Sequence, residues 1–150
     1  KVPDPSKEKI IIFDKRLYQF LKIAIVLSLI QITLGTQVRQ LIDEIASSLY
    51  HMQRNLWVDL VGTTFKVHRS FAISLVIINV ALFFRNYKLK YRYQLVNFIC
   101  AVVFLEVLSG IILTYFDMLA LMQPIHLTAA SLLFLIQIAL YFKLQKAKSI

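Results

Sequence analysis

Four apolar stretches, at about 17–34, 67–84, 94–116 and 124–142, are each long enough to cross a hydrocarbon core of ~30 Å as a helix. Nothing else in the sequence constrains the fold as strongly. In lipid every backbone N–H and C=O must be satisfied within the protein, and only helices and closed barrels achieve that. Three glycines and three prolines in 150 residues leave little material for strands and turns. The expected architecture is therefore all-α: a membrane-spanning antiparallel four-helix bundle over 17–143, a polar leader at 1–16 and a basic tail at 144–150. Mean hydropathy is +0.69 and 59% of residues are hydrophobic, above the ~45–50% apolar content of soluble domains. The first residue is Lys1 rather than methionine, and no signal peptide is visible, so the chain is expected to be a fragment or trimmed part of something longer.

The net charge of +9 does not point to nucleic acid, because the cations flank the apolar stretches and no polar fold carries a binding face. Thirteen of the 17 cations fall beside the termini and the 85–92 connection, and four (Arg39, Arg54, Lys66, Arg69) on the other side. By the positive-inside rule both termini are cytoplasmic, and the connections at 36–66 and 117–123 face outward. The longer of these exceeds a simple turn. Val38, Leu41, Ile42, Ile45, Leu49 and Met52 recur at helical spacing, predicting an amphipathic helix at the outer surface. Such a helix, separate from the first span or continuous with it, could lid the outer helix ends.

Two histidines sit at matching depths. His68 precedes Arg85 by 17 residues, and His126 precedes Lys143 by 17, which puts both imidazoles ~25 Å from the same membrane face. An internal repeat gives the match a reason. Gln31 stands four positions before Gly35, and Glu106 four before Gly110; the helix following each of these carries a histidine near its outer end. Two copies of a helix pair, related by an axis along the membrane normal, would bring His68 and His126 to equivalent positions around a central cavity. Gly35 and Gly110 would let a neighbouring helix or a flat ligand approach the backbone. Two readings of the pair stand at this point: axial ligation of a haem iron, and two helix-terminal imidazoles hydrogen-bonded to loops.

The neighbouring residues fit either reading. Arg39 and Arg69, near the outer helix ends, could bind haem propionates bidentately or face lipid phosphate. Gln123 and Asp117 could orient imidazole N–H groups or close the outer mouth. Glu106 is the one carboxyl deep in a span, where a charge costs at least ~2.5 kcal/mol. It could relay protons, but Gln31 at the matching position favours packing or hydrogen bonding. His51 is expected to be solvated, and Cys100 inert and buried. A single cysteine excludes an internal disulfide. No Ser/His/Asp arrangement, phosphate loop or H-E-x-x-H pattern is present.

Leu34-Gly35-Thr36-Gln37-Val38-Arg39, then Val67-His68-Arg69, then Gln123-Pro124-Ile125-His126-Leu127 resemble the second half of the haem A synthase family, in order and at fitting spacing over nearly the whole chain. The resemblance implies two pseudo-equivalent four-helix halves, each with a histidine pair. The full enzyme, an oxidoreductase, converts the methyl group of haem O to the formyl group of haem A for terminal oxidases. Its first half holds the substrate haem, and its second half a haem b for electron transfer. In the first half the family carries a glutamate three residues before the first histidine, where this chain has Phe65. The first outer loop of many members holds a cysteine pair, and 36–66 has no cysteine. Both departures imply the cofactor half, not expected to perform the oxidation alone, with 1–16 as a linker between halves.

Carried over, His68 and His126 are haem b axial ligands, Arg39 and Arg69 propionate contacts, and Gly35, Gly110 and Gln123 part of the cofactor pocket. The implied partners are the N-terminal substrate-haem half in the same or a separate chain, haem O and haem A, the lipid bilayer, and a further copy of the chain or haem O synthase. The implied location is a bacterial plasma membrane or the mitochondrial inner membrane. The alternatives are a free-standing four-helix b-type cytochrome and a haem-free membrane assembly subunit.

Overall fold

The computed structural model describes residues 13–90 and 92–149, so most of the expected leader lies outside the described residues. Five helices follow in order: α1 (Lys15–Ser48), α2 (Arg54–Val61), α3 (Thr63–Tyr87), α4 (Gln94–Tyr115) and α5 (Met122–Lys148). All but α2 are long and apolar enough to cross a membrane. The all-α four-span architecture is thus the one the apolar stretches predict, with a short helix between the first two spans.

Helices α1, α3 and α5 overrun their apolar stretches, and α1 does so most. Its 34 residues extend ~51 Å, well beyond a ~30 Å hydrocarbon core. The amphipathic residues after Thr36 continue α1 because nothing there breaks it; mid-helix Gly35 costs only ~1 kcal/mol relative to alanine. Ile42 and Ala46 on this extension pack against Trp57 and Val61 of α2 and against Met118. The separate helix is therefore α2, further along the chain than the amphipathic pattern. A turn with Tyr50, His51 and Gln53 at positive φ leads into it, and the Trp57 indole N–H donates to the Met52 carbonyl at 2.9 Å. Gly62 joins α2 to α3 at φ 68°, ψ −127°, backbone that a side chain would strain. Pro124 falls in the first turn of α5, where its missing N–H is harmless.

Packing reproduces the internal repeat. Helix α1 lies chiefly against α3, and α4 against α5, with the two pairs joined through α1–α5 and α3–α4. The buried positions correspond as well. Leu75, Asn79 and Leu82 follow His68 at the same spacings as Leu133, Gln137 and Leu140 follow His126, and all six are buried. Likewise Leu21, Ala24 and Ser28 precede Gly35 as Val96, Ile99 and Val103 precede Gly110. Since lipid is as apolar as leucine, this inward face is selected by close packing rather than by escape from water.

Two apolar clusters result. The larger one, including Leu17, Leu21, Leu82, Ile99 and Leu140, fills the bundle toward the chain termini. The smaller one lies between the α1 extension, α2 and Met118. Polar clamps close the terminal end. Asp14 caps α1, accepting from the Leu17 N–H at 2.7 Å, and takes a bidentate pair from Arg85 at the end of α3. The Asn86 amide exchanges two hydrogen bonds with the Tyr93 backbone, which fixes the turn into α4.

Candidate functional site

The space between the two clusters is a cavity of about 620 Å³, within the range of small-molecule and cofactor sites. His68 of α3 and His126 of α5 both line it, with Gln31, Gly35, Arg39, Glu106, Gly110 and Gln123. Its apolar wall comes from Ile42, Val58, Phe65, Leu113 and Met118, so the α1 extension and α2 cover it as a lid would.

Each imidazole rests on the glycine of its paired helix. A methyl group at Gly35 would lie 3.4 Å from His68 Cε1, and one at Gly110 would lie 3.5 Å from His126 Cε1. The body closest to these glycines is thus the histidine ring of the next helix. One turn before each glycine stands the matched polar residue. Gln31 Nε2 is 3.2 Å from His68 Nδ1 and 3.3 Å from its Nε2, so it faces the ring edge between them. Glu106 Oε2 is 3.4 Å from His126 Nδ1. Glu106 therefore stands beside one histidine as Gln31 stands beside the other. Gln31 Oε1 and Glu106 Oε1 are buried acceptors without a hydrogen-bond partner among the described residues.

Other residues singled out in the sequence fall differently. Arg39 lines the cavity, with its Nε donating to Asp43 Oδ2 at 2.8 Å on a half-exposed face. Arg69 is not among the lining residues; its guanidinium lies 5.9 Å from the centre of the Phe65 ring. Asp117 sits at positive φ in the turn after α4, His51 is exposed, and Cys100 is half-buried within α4. Sequence reasoning missed Ser109, whose hydroxyl is 2.8 Å from His126 Nδ1. Its counterpart in the repeat is Leu34, so the repeat carries no marker for it. The role of Val58 depends on the chain folding back through α2, which no local pattern announces.

Two imidazoles are too few to hold a bare metal ion, which generally takes three or more protein ligands. Among the described residues no group of three or more His, Cys, Asp or Glu side chains could do so. The donor set suits a metal that brings its own equatorial ligands, as haem iron does. The cavity's apolar wall and its two unpartnered acceptors are compatible with a large, mostly flat, partly polar guest.

These features define a class: a four-span helical membrane protein with two imidazoles facing one cavity near the end of the bundle. The chain matches the cytochrome oxidase assembly protein family, COX15-CtaA, over residues 6–138, and it belongs to that family. The family is that of haem A synthase, an oxidoreductase that binds haem. No curated protein and no solved structure matches the chain.

Proposed function

We propose that this chain is the haem b cofactor half of a haem A synthase, with His68 and His126 as axial ligands. The observation that carries the proposal is the pair of imidazoles on one cavity, each held against a glycine one turn beyond a polar side chain. A haem held there by both His68 and His126 would supply one-electron transfer rather than oxygen activation, since the two imidazoles would leave no open position for oxygen. The residues' own work is to hold and orient. Gly35 and Gly110 let the rings sit close to the backbone, and the apolar wall excludes water. Arg39 offers a guanidinium for a carboxylate, since its exposed pair with Asp43 is worth only ~0.3–0.5 kcal/mol and is readily exchanged. Gln123 borders the mouth, and Arg69 is better placed to meet the membrane interface. Phe65 lines the cavity where the resemblance implies a glutamate in the other half, so no acid or base is supplied there. Electrons carried here would serve oxidation of the haem O methyl group in that partner half, on the same or a separate chain, with 1–16 as the connection.

The basic end, carrying Arg85, Lys88, Lys143 and Lys146, is proposed to face the cytoplasm or mitochondrial matrix. In intact cells an impermeant thiol reagent is expected to label Asp117→Cys but not Lys88→Cys, and the opposite pattern would reverse the orientation. The cofactor is tested directly. Protein purified after haem-replete expression is expected to show a six-coordinate low-spin b-type spectrum, lost in both His68→Ala and His126→Ala. Purification without haem would reject the proposal, and an unchanged spectrum in either variant would remove that residue as a ligand.

A further inference from the structure

Resting on that reading, the hydrogen bonds around His126 specify more than its position. Ser109 is buried, and its hydroxyl is 3.1 Å from the Glu106 carbonyl in its own helix. A carbonyl can only accept, so a hydroxyl that donates to it, as serines within helices commonly do to an earlier carbonyl, keeps its oxygen lone pairs for another donor. In that arrangement the Ser109 oxygen faces His126 Nδ1, 2.8 Å away, as an acceptor for a ring N–H. A neutral imidazole with its proton on Nδ1 carries its free lone pair on Nε2. His68 has no such arrangement, because one amide nitrogen of Gln31, nearly equidistant from both ring nitrogens, selects neither.

We propose that Ser109 is a positioning residue that holds His126 as its Nδ1–H tautomer and thereby presents Nε2 as the ligating nitrogen. The two imidazoles are then unequal: His126 is preset, and His68 adapts. This is the outer-partner arrangement that fixes the tautomer and raises the basicity of metal-bound histidines.

The test separates this claim from the haem assignment. Nitrogen NMR of the full chain labelled at histidine nitrogens, in detergent and without haem, reads the tautomer directly, with His126→Ala identifying the signal. The expected result is Nδ1–H in the parent protein and in Ser109→Thr, which keeps the hydroxyl, and loss of that preference in Ser109→Ala. Haem titration is expected to follow, with affinity about 10–100-fold weaker in Ser109→Ala and restored within a few-fold in Ser109→Thr. An Nε2–H form in the parent protein, or a tautomer unaffected by Ser109→Ala, overturns the proposal even if haem binds. A parent protein that shows the Nδ1–H form but never binds haem leaves the tautomer device standing and rejects the haem reading.

Discussion

At the scale of single residues, the matched pair Gln31 and Glu106 decides how an acidic side chain survives inside a span. A charge there costs ~2.5–3.5 kcal/mol, whereas a glutamine in the same place beside the other histidine needs no charge at all. If Glu106 acts by packing and hydrogen bonding, Glu106→Gln is expected to preserve a low-spin haem spectrum. Melting of the detergent-solubilised protein is expected to stay within ~1 kcal/mol of the parent or to rise. Loss of haem in that variant alone would show that the carboxylate itself is needed. The correspondence of Gln31 with Glu106 was legible from their distance to Gly35 and Gly110. Ser109 was not, because nothing about a serine in an apolar helix tells which neighbour its oxygen will meet.

At the scale of elements, α1 is held at its start by one carboxylate. Asp14 caps the helix and accepts from two N–H groups of the Arg85 guanidinium, with only 14% of its side chain exposed. The hydrogen bond from Arg85 holds its carboxyl below the ordinary aspartate range, against the opposing effect of burial, with help from the Leu17 N–H. A depressed folded-state value means that the stabilisation is present in full above the unfolded pKa of ~3.9 and is lost as pH falls through the lower, folded one. Thermal unfolding of the parent protein between pH 7 and about pH 2 is expected to show this loss. Asp14→Asn, which can still cap but cannot pair, is expected to be less stable at pH 7 and to lose Asp14's share of the acid sensitivity. Asp14→Ala is expected to cost a further ~1 kcal/mol from the missing cap. An acid profile identical in parent and Asp14→Asn would refute this role. The same scale shows what periodicity leaves open. The apolar spacing of Val38, Leu41, Ile42 and Ile45 indicated a helix either separate from the first span or continuous with it, and the structure makes it the last third of α1, packed onto α2.

At the scale of the whole molecule, a buried polar chain ties three spans together three turns below the histidines. The Ser28 hydroxyl donates to Gln137 Oε1 at 2.8 Å, the Gln137 amide donates to Asn79 Oδ1 at 3.2 Å, and the Asn79 amide donates to the Leu75 carbonyl at 2.8 Å. Because Asn79 and Gln137 occupy equivalent positions in the repeat, their bond marks where α3 and α5 meet. Gln137→Leu leaves a hydroxyl and an amide oxygen unpaired in a dry interior and is expected to cost about 1–3 kcal/mol. Intact interhelical bonds in membranes are each worth only ~0.6 kcal/mol on average, so removing every polar group is cheaper than orphaning some. The triple variant Ser28→Ala, Asn79→Leu, Gln137→Leu is therefore expected to recover much of the loss in detergent unfolding. Equal losses in the single and triple variants would show that packing volume, not hydrogen bonding, sets the cost.

The sequence by itself determined the four spans, the helical class, the level of the two histidines and the repeat that relates them. Each of these follows from local composition and spacing along the chain, which lipid turns into a fold by requiring every backbone group to be satisfied within the protein. Only the tertiary structure decided that α1 runs on past its own apolar stretch into a cover for the cavity, that α2 closes it, and that Ser109 stands beside His126. Those outcomes depend on which faces meet across helices. Identical apolar positions can be rotated toward lipid or toward a partner with little change in local energy, and the choice is made by close packing and by a few buried hydrogen bonds between segments far apart in the chain.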